Sequence, residues 1–400
     1  MKKRESLFGY ALLAYFLFVV CLITLLPFRF HWPVKVDVLL QAKWLDVVLN
    51  IILFLPLGFL FRLTQQTVIG KGRVRVLIYG LLASLFIESV QVFQIERTPS
   101  LSDVMANGLG AWVGALLFDR VKNRLNKQMV GTLALELPLM GLFYLLGPML
   151  WINGLATGKQ TSHLFLAPII GLFGACILAS VWTYAFKSDS AISANKLAII
   201  TGFWFLGASL PGIIKKPLLL FSSGIALALF VRILVFILQR TVRKERRFEI
   251  ATLKQIWPIY ATYLCLLASW PWRWPDRLWE GGLGFVDVHS TVILILRVVE
   301  YVLAFTFLGY IVAEGRGRKE ETFRITMMWV LSACFASGCL LEFVRGFHPK
   351  HTASLAQLMI SIGVGMYGAL LYRLQLNAVR RLIKREKSYV KGNKDTFVFR

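Results

Sequence analysis

Apolar runs of roughly 20 residues, the length of a transmembrane helix, recur along this chain and constrain its fold more than any other feature. In the hydrocarbon core of a bilayer no water is available, so every backbone polar group must be satisfied within the helix. Hydrophobic residues make up 57% of the chain, and the mean hydropathy is +0.65. The sequence therefore predicts an all-α fold, a polytopic transmembrane helical bundle.

About 12 spans are predicted, each an apolar run bounded by polar residues, Gly or Pro. They cover residues 7–27, 45–63, 74–94, 101–119, 133–152, 163–186, 196–214, 217–239, 256–271, 290–314, 324–345 and 353–373. The first run follows a basic N-terminus but is too long for a cleaved signal peptide, and no small-residue cleavage site follows it. It is therefore predicted to remain as a signal anchor.

The net charge of +24 is distributed unevenly along the predicted topology. Basic clusters fall on one side of the membrane, at residues 2–4, 120–127, 240–247 and 380–387. By the positive-inside rule, this side is the cytoplasm, and both termini lie there. Basic segments next to a membrane attract anionic lipid. The distribution thus favours membrane lipids over nucleic acid as partners, in the cell (inner, cytoplasmic) membrane.

No cofactor or metal site is predicted. The cysteines lie in apolar spans without a CxxC pair and are interpreted as inert core residues: Cys21, Cys176, Cys265, Cys334 and Cys339. His348 and His351 lie close together in a loop, but no acid or cysteine nearby in the sequence completes a ligand set. They are interpreted as surface histidines.

The chain contains an internal repeat. Residues 88–114 align without gaps with residues 342–368, and residues 54–59 resemble 305–310. Identities include Glu88/Glu342, Val90/Val344, Phe93/Phe347, Thr98/Thr352, Ser100/Ser354, Leu101/Leu355, Met105/Met359 and Gly114/Gly368. An even number of predicted spans separates the two copies, which predicts two parallel four-helix units.

Four segments follow from this repeat. They are a transmembrane unit at 1–128, a central transmembrane block at 129–248, a degenerate second unit at 249–376 and a basic cytoplasmic tail at 377–400. The central block has few ionisable residues and no copy of the repeated motif. It is interpreted as packing or as a lateral, lipid-facing block.

Acids and amides of the first unit fall at one predicted depth, near the outer leaflet. Ionisable groups within a membrane cost about 3 kcal/mol or more at the bilayer centre, and they usually face the bundle interior or a water-filled cavity. Helical spacing places each pair from one span on one face. The predicted outer polar cluster consists of Asp46, Asn50, Glu88, Gln91, Arg97, Asp103 and Asn107.

The second unit keeps part of this pattern. Its counterparts are Glu342, Arg345 in place of Gln91, His351 in place of Arg97, Gln357 in place of Asp103 and Ser361 in place of Asn107. This unit is either a degenerate scaffold or part of a composite site. For the outer polar cluster itself, a ligand-facing site and a self-satisfied network that orients the helices both remain open.

These residues form a pattern that resembles the VanZ-like family of bacterial membrane proteins. The matching motifs are Leu26-Pro27-Phe28, Asp46-x-x-x-Asn50, Phe54-x-Pro56-x-Gly58, Glu88-x-x-Gln91 and Arg97-x-x-Ser100-x-x-Asp103-x-x-x-Asn107-x-x-Gly110. The resemblance covers about residues 8 to 120 and, weakly, residues 256 to 375. It implies a four-helix VanZ-like fold. The duplication and the central spans depart from the family pattern.

The resemblance also suggests functions, because the family takes its name from a protein that gives low-level resistance to the glycopeptide teicoplanin. A first hypothesis is a non-enzymatic envelope protein that binds a lipid-linked precursor, glycolipid or glycopeptide head group at the outer polar cluster. A second is a membrane enzyme with Glu88 or Asp103 as general acid or base and Arg97 stabilising negative charge. A third is a transporter built from the two parallel units.

Overall fold

The computed structural model describes residues 7–25, 30–32, 44–64, 71–94, 98–124, 139–157, 164–185, 193–241, 248–270, 278–284, 291–317, 322–348 and 352–396. The helices in these ranges are α1 (Leu7–Thr24), α2 (Trp44–Thr64), α3 (Lys71–Gln91), α4 (Leu101–Arg124), α5 (Met140–Thr157), α6 (Leu166–Ala185), α7 (Ala194–Ala208), α8 (Leu210–Ile213), α9 (Pro217–Thr241), α10 (Phe248–Ser269), α11 (Thr291–Gly317), α12 (Phe323–Gly346) and α13 (Leu355–Thr396). Two-residue strands β1 (Gly281–Gly282) and β2 (Ala353–Ser354) pair in parallel.

The all-α prediction is confirmed. Each predicted span coincides with a helix, and nine of the described helices are long and apolar enough to cross a membrane. The number of spans and the repeat arrangement stay predictions. Several bounds differ from the predicted ones. Helix α5 ends five residues beyond the predicted span at 133–152, and α10 begins eight residues before the one at 256–271. The span at 196–214 consists of α7 and the short α8, and α13 continues past residue 373 to Thr396.

Helices α2 and α4 approach each other backbone to backbone. A Cβ atom added to Gly58 would overlap the carbonyl oxygen of Ala111, and one added to Gly114 would overlap that of Leu55. Small residues allow such close approach, which is how transmembrane helices gain van der Waals contact without a hydrophobic driving force. The α2–α4 pair is accordingly the most extensive helix contact of the first unit.

The corresponding helices of the second region, α11 and α13, make the same contact. A Cβ added to Gly309 would overlap the carbonyl oxygen of Gly365, and one added to Gly368 would overlap that of Thr306. The α11–α13 pair is the main helix contact of this region, with α12 packed against both helices. The α2–α4 and α11–α13 pairs therefore share a glycine-based packing geometry.

The central helices do not form one lateral block. Helices α5 and α6 lie in the core, where α5 packs on α11 and α6 packs on α9 and α10. By contrast, α9 exposes a face that includes Ile225, Leu229 and Ile233. The packing interpretation thus applies to α5 and α6, and the lipid-facing one to the outer face of α9.

Helix α1 connects the first unit to the last helix of the chain. It packs on α2 and also on α13. The rings of Tyr15 and Tyr367 stack with centroids 6.0 Å apart, and the Tyr367 hydroxyl donates to the carbonyl of Ala11 at 3.3 Å. Helix α2 and the α11–α13 pair therefore share one core, while Ala111 and Ala115 of α4 pack with Val76 in a second, small cluster.

Candidate functional site

Glu88 joins the end of α3 to the start of α4. Its Oε2 accepts a hydrogen bond from the backbone N–H of Ser100 at 2.8 Å, and its side chain is buried. The first N–H groups of a helix lack partners within the helix, and the positive end of the helix dipole favours a carboxylate there. Glu88 therefore stabilises the entry into α4 with part of its hydrogen-bonding capacity.

A second polar link joins α3 and α4 one helical turn deeper. Asn107 Nδ2 donates to Ser84 Oγ at 2.8 Å, and both side chains are buried. Ser84 and Glu88 share one face of α3, and Asp103 and Asn107 share one face of α4, by their four-residue spacing. Four of these polar side chains thus follow a single seam between α3 and α4.

Asn107 presents a buried acceptor in this seam. Its side chain is 2% exposed, and its Oδ1 accepts no hydrogen bond from the described residues. Buried amide oxygens almost always have a partner in protein, water or ligand. The seam therefore contains a buried acceptor that has no hydrogen-bond partner among the described residues.

Two glutamines of the α3 end turn toward α1 instead. Gln91 Nε2 donates to the carbonyl of Thr24 at 2.7 Å, and Gln94 Nε2 donates to the carbonyl of Leu25. These carbonyls are at the C-terminal end of α1, where the helix offers them no donor. Gln91 is thus part of a helix-end anchor in this structure.

The remaining predicted cluster residues differ in exposure. Asp46, in the first turn of α2, is exposed, Asn50 is half-buried, and Asp103, in the first turn of α4, is half-buried with polar interactions of its own. Gly110 packs against the backbone of Ile51, so Asn50 of α2 lies next to α4, about one helical turn from Asn107. Arg97 lies outside the described residues.

Glu342 occupies the position of Glu88 in the second region. Its Oε2 accepts a hydrogen bond from the backbone N–H of Ser354 at 2.8 Å, the same contact and distance as Glu88 makes with Ser100. Its Oε1 accepts from Arg345 Nη1 at 2.9 Å in a buried ion pair. Arg345 thus neutralises Glu342 where the first unit has Gln91.

The other counterparts in the second region are satisfied only in part, because the buried Nε2 of Gln357 has no hydrogen-bond partner among the described residues. Ser361 Oγ donates to the carbonyl of Gln357 at 2.9 Å, and the backbone N–H of Gln357 donates to Ser354 Oγ at 3.2 Å, which caps α13. Ser361 therefore leaves no open amide acceptor where Asn107 has one. His351 lies outside the described residues.

A basic and aromatic pair replaces the polar residues of α2 in the second region. Counting back from Gly58 and Gly309, Asp46 corresponds to Arg297 and Asn50 to Tyr301. Arg297 interacts electrostatically with Glu300 and Glu342, and the guanidinium carbon of Arg345 lies 5.1 Å from the Tyr301 ring centroid. Neither α11 residue was predicted from the sequence, although the spacing of each to Gly309 was an available signal.

The opposite end of the first unit carries an ion cluster that was not predicted either. Asp119 of α4 pairs with Arg62 of α2, Oδ1 to Nε at 3.1 Å, and with Arg73 of α3, Oδ2 to Nε at 2.6 Å. Arg62 and Asp119 are both buried, whereas Arg73 is about one-third exposed at 30%. This cluster joins the three helices at the end remote from the outer polar cluster.

Most of the first unit is similar to a known protein family. Residues 12–123 match the family model described as VanZ/LLP1. This part of the chain is VanZ-like. The VanZ-like region extends from within α1 to near the end of α4, which confirms the resemblance predicted for about residues 8 to 120. No curated protein and no solved structure matches the chain.

The match covers both polar ends of the VanZ-like region. It includes the α3–α4 seam with Glu88, Asp103 and Asn107, and also the Arg62–Asp119 pair. Residues 256–375 lie outside the match, so their weak resemblance stays a prediction. The chain is thus a multi-pass, helical membrane protein with an N-terminal VanZ-like region.

Proposed function

We propose that the VanZ-like region recognises a polar head group at the outer face of the cell membrane. The head group would belong to a lipid-linked cell-envelope molecule or to a glycopeptide such as teicoplanin. The observation that carries this proposal is the buried Oδ1 of Asn107, which accepts no hydrogen bond from the described residues. An acceptor of this kind suits the hydroxyl or amide donors of a sugar or a peptide.

The contrast with the second region supports the same proposal. Its Ser361 hydroxyl bonds to its own helix, and its Glu342 is neutralised by Arg345. These two residues are paired as expected in a network that only orients helices, although the buried Nε2 of Gln357 has no partner among the described residues. The seam between α3 and α4 instead keeps two acids near the start of α4 and, about one turn further along α4, a buried amide oxygen without a hydrogen-bond partner among the described residues, which favours recognition of a partner.

Glu88 has a narrower role in this proposal than a general acid or base. One of its oxygens holds the N-terminus of α4, and the side chain is buried. Head-group contact is therefore assigned to Asp103 and Asn107, with Asp46 and Asn50 beside them on α2. Glu88 acts as a positioning residue that fixes the start of α4.

The proposal is tested with cells that express the wild type, Asn107→Ser, Asp103→Asn or the control Ser361→Ala at matched membrane levels. Labelled-teicoplanin binding and susceptibility are both measured. A lost hydrogen bond to a buried partner costs about 1.4 kcal/mol, so each seam variant should bind about tenfold less tightly. The control variant should behave as the wild type.

Two results would contradict parts of the proposal. Equal binding by the wild type and both seam variants would remove the α3–α4 seam as the recognition site. If the wild type binds no teicoplanin, the glycopeptide is excluded, and the same variants are assayed with a labelled lipid-linked cell-wall precursor in vesicles. Absence of binding in that assay as well would overturn head-group recognition.

A further inference from the structure

An apolar cleft lies between α1 and α2 of the VanZ-like region and the central helices α5 and α7. Its volume is about 460 Å³, within the range of small-molecule sites in proteins. Its walls are aliphatic and aromatic and include Val19, Ile23, Leu53, Trp151, Phe203 and Trp204. The cleft is partly open, and two of its helices, α1 and α2, are long and apolar enough to cross a membrane.

Residues that interrupt helix packing create this space. Pro56 of α2 and Pro148 of α5 face the cleft, and a proline inside a helix removes one backbone hydrogen bond and bends the helix. Gly147 and Gly207 also line the cleft, and an added Cβ at either position would meet no described atom within 4 Å. Two helix positions therefore carry no side chain where side chains would fit.

A second cleft, between α1, α2, α3 and α4, differs in this respect. It measures about 350 Å³, and its glycines, Gly58 and Gly80, are in close contact with Ala111. These glycines serve helix packing. The glycines of the larger cleft instead leave space that remains open to a ligand.

We propose that one hydrocarbon chain of a membrane lipid occupies the cleft between α1, α2, α5 and α7. Protein interiors are close-packed, and an apolar space of this size does not hold water favourably. In a bilayer spanned by α1 and α2 the solvent around these helices is hydrocarbon, and the cleft between them and the central helices is partly open. A flexible alkyl or isoprenoid chain satisfies the walls by dispersion contacts alone.

The cleft lies close enough to the outer polar cluster for one lipid to occupy both, with its head group at the cluster and a hydrocarbon chain in the cleft. In this respect the inference rests on the proposed function. Asp46, Leu53 and Leu60 lie seven residues apart along α2 and so share one stripe of that helix, with both leucines in the cleft wall. The axial rise from Asp46 to Leu53 is about 10 Å. On α1, Ile23 of the cleft wall precedes Thr24, which accepts the Gln91 hydrogen bond. A lipid could thus place its head at the outer polar cluster and one chain in the cleft.

The test uses the purified full chain in vesicles of phosphatidylethanolamine and phosphatidylglycerol that contain a trace of phosphatidylglycerol with a diazirine in its acyl chain. After irradiation, the adducts are mapped by mass spectrometry. Adducts should concentrate on α2, α5 and α7 residues of the cleft. They should exceed the adducts on the exposed face of α9, which reports ordinary lipid contact. Equal labelling of the two surfaces would overturn the inference.

Variants that fill the cleft provide the second measurement. Gly147→Phe and Gly207→Phe should each lower cleft labelling about tenfold, because the new side chain displaces part of the lipid chain. A tenfold loss corresponds to about 1.4 kcal/mol of binding free energy. Gly363→Phe is the matched control, because Gly363 is exposed on α13 and an added Cβ there also meets no described atom within 4 Å. Undiminished cleft labelling in both filled variants, with gel-filtration profiles like the wild type, would contradict the proposal.

Head-group and chain recognition fail separately in this design. Labelling by the phosphatidylglycerol probe measures occupancy of the cleft, whereas binding of teicoplanin or of the precursor measures head-group recognition. Loss of cleft labelling in Gly147→Phe and Gly207→Phe, but not in Gly363→Phe, supports the site for the lipid chain whatever ligand binds at the seam. Teicoplanin or precursor binding that persists without wild-type cleft labelling would overturn the chain site and leave the head-group proposal standing.

Discussion

Arg62 and Asp119 form an ion pair in which the guanidinium is completely buried and the carboxylate is 2% exposed. The pair joins the C-terminal ends of α2 and α4, and Arg73 of α3 contacts the other carboxylate oxygen. Removal of one member of a buried pair is costly because the other charge remains without compensation. The pair therefore stabilises the three-helix end as long as both charges are present.

Asp119→Asn is expected to lower the free energy of unfolding by about 3 kcal/mol or more, since it leaves the buried Arg62 charge without its carboxylate. Arg73→Gln should cost about 1 kcal/mol or less, because the Arg73 side chain is partly exposed and solvent screens its charge. Thermal unfolding of the purified protein in detergent, followed by tryptophan fluorescence, measures both. A smaller shift for Asp119→Asn than for Arg73→Gln would contradict the expectation.

Glu88→Gln and Glu342→Gln form a matched pair, because both carboxylates accept a 2.8 Å hydrogen bond from a serine N–H at the start of a helix. Hydrogen bonds to charged groups contribute about 1.5–3 kcal/mol, so both variants should unfold at lower temperature. Glu342→Gln should be the less stable of the two, since it also leaves Arg345 without its ion-pair partner. The reverse order in the same unfolding assay would show that Arg345 does not depend on Glu342.

A double-mutant cycle at Glu342 and Arg345 measures their coupling directly. Arg345→Gln introduces the residue that the first unit has at Gln91, and it leaves the buried Glu342 carboxylate without its cation. The double variant Glu342→Gln with Arg345→Gln removes both charges and should recover part of the lost stability. If the double variant loses as much stability as the two single variants together, the pair is not coupled.

Gly58→Ala and Gly309→Ala test the two backbone contacts of α2 with α4 and of α11 with α13. The added methyl group would overlap the carbonyl oxygen of Ala111 or of Gly365, so each variant should lose about 1–3 kcal/mol or fail to accumulate in the membrane. Gly363→Ala, which adds the same methyl group in open space, is the control and should accumulate normally. Quantitative immunoblots of membranes provide the first measurement. Normal levels and unchanged unfolding temperatures of both glycine variants would contradict the described contacts.

The predicted orientation in the membrane is open to a labelling experiment. In a cysteine-free background, Lys215→Cys, between α8 and α9, should react with a membrane-impermeant maleimide in intact cells. Arg240→Cys, at the other end of α9, should react only after the membrane is permeabilised. Both native side chains are exposed, so local burial does not explain a difference. The opposite pattern would reverse the predicted topology.

Helix positions were predictable from hydropathy because lipid leaves the backbone few alternatives. The predicted span at 45–63, for example, coincides with α2 at Trp44–Thr64. Beyond residue 377, α13 is polar, and hydropathy carries no signal for a helix that leaves the membrane. The predicted span at 353–373 therefore agrees with the apolar part of α13, Leu355–Asn377, and does not include its polar continuation.

Side-chain pairing was less predictable because it depends on how distant helices face one another. Glu88 was recognisable as a polar group in lipid, but its contact with Ser100 depends on the path between α3 and α4. Arg62 and Asp119 each lie near the end of a span, where a lone charge normally extends to the interface. Only the packing of α2 on α4 turns both inward.

The contact of Gly58 with Ala111 has a consequence for how this bundle deforms. Where the backbones of two helices touch, no side chain lies between them that can change rotamer. Helices α2 and α4 are therefore expected to move together as one rigid unit. The same holds for α11 and α13. Relative motion is then concentrated where backbones do not touch, along the border of α2 with α5 and α7. The bundle is thus expected to contain two rigid helix pairs and a more deformable border between the first pair and the central helices.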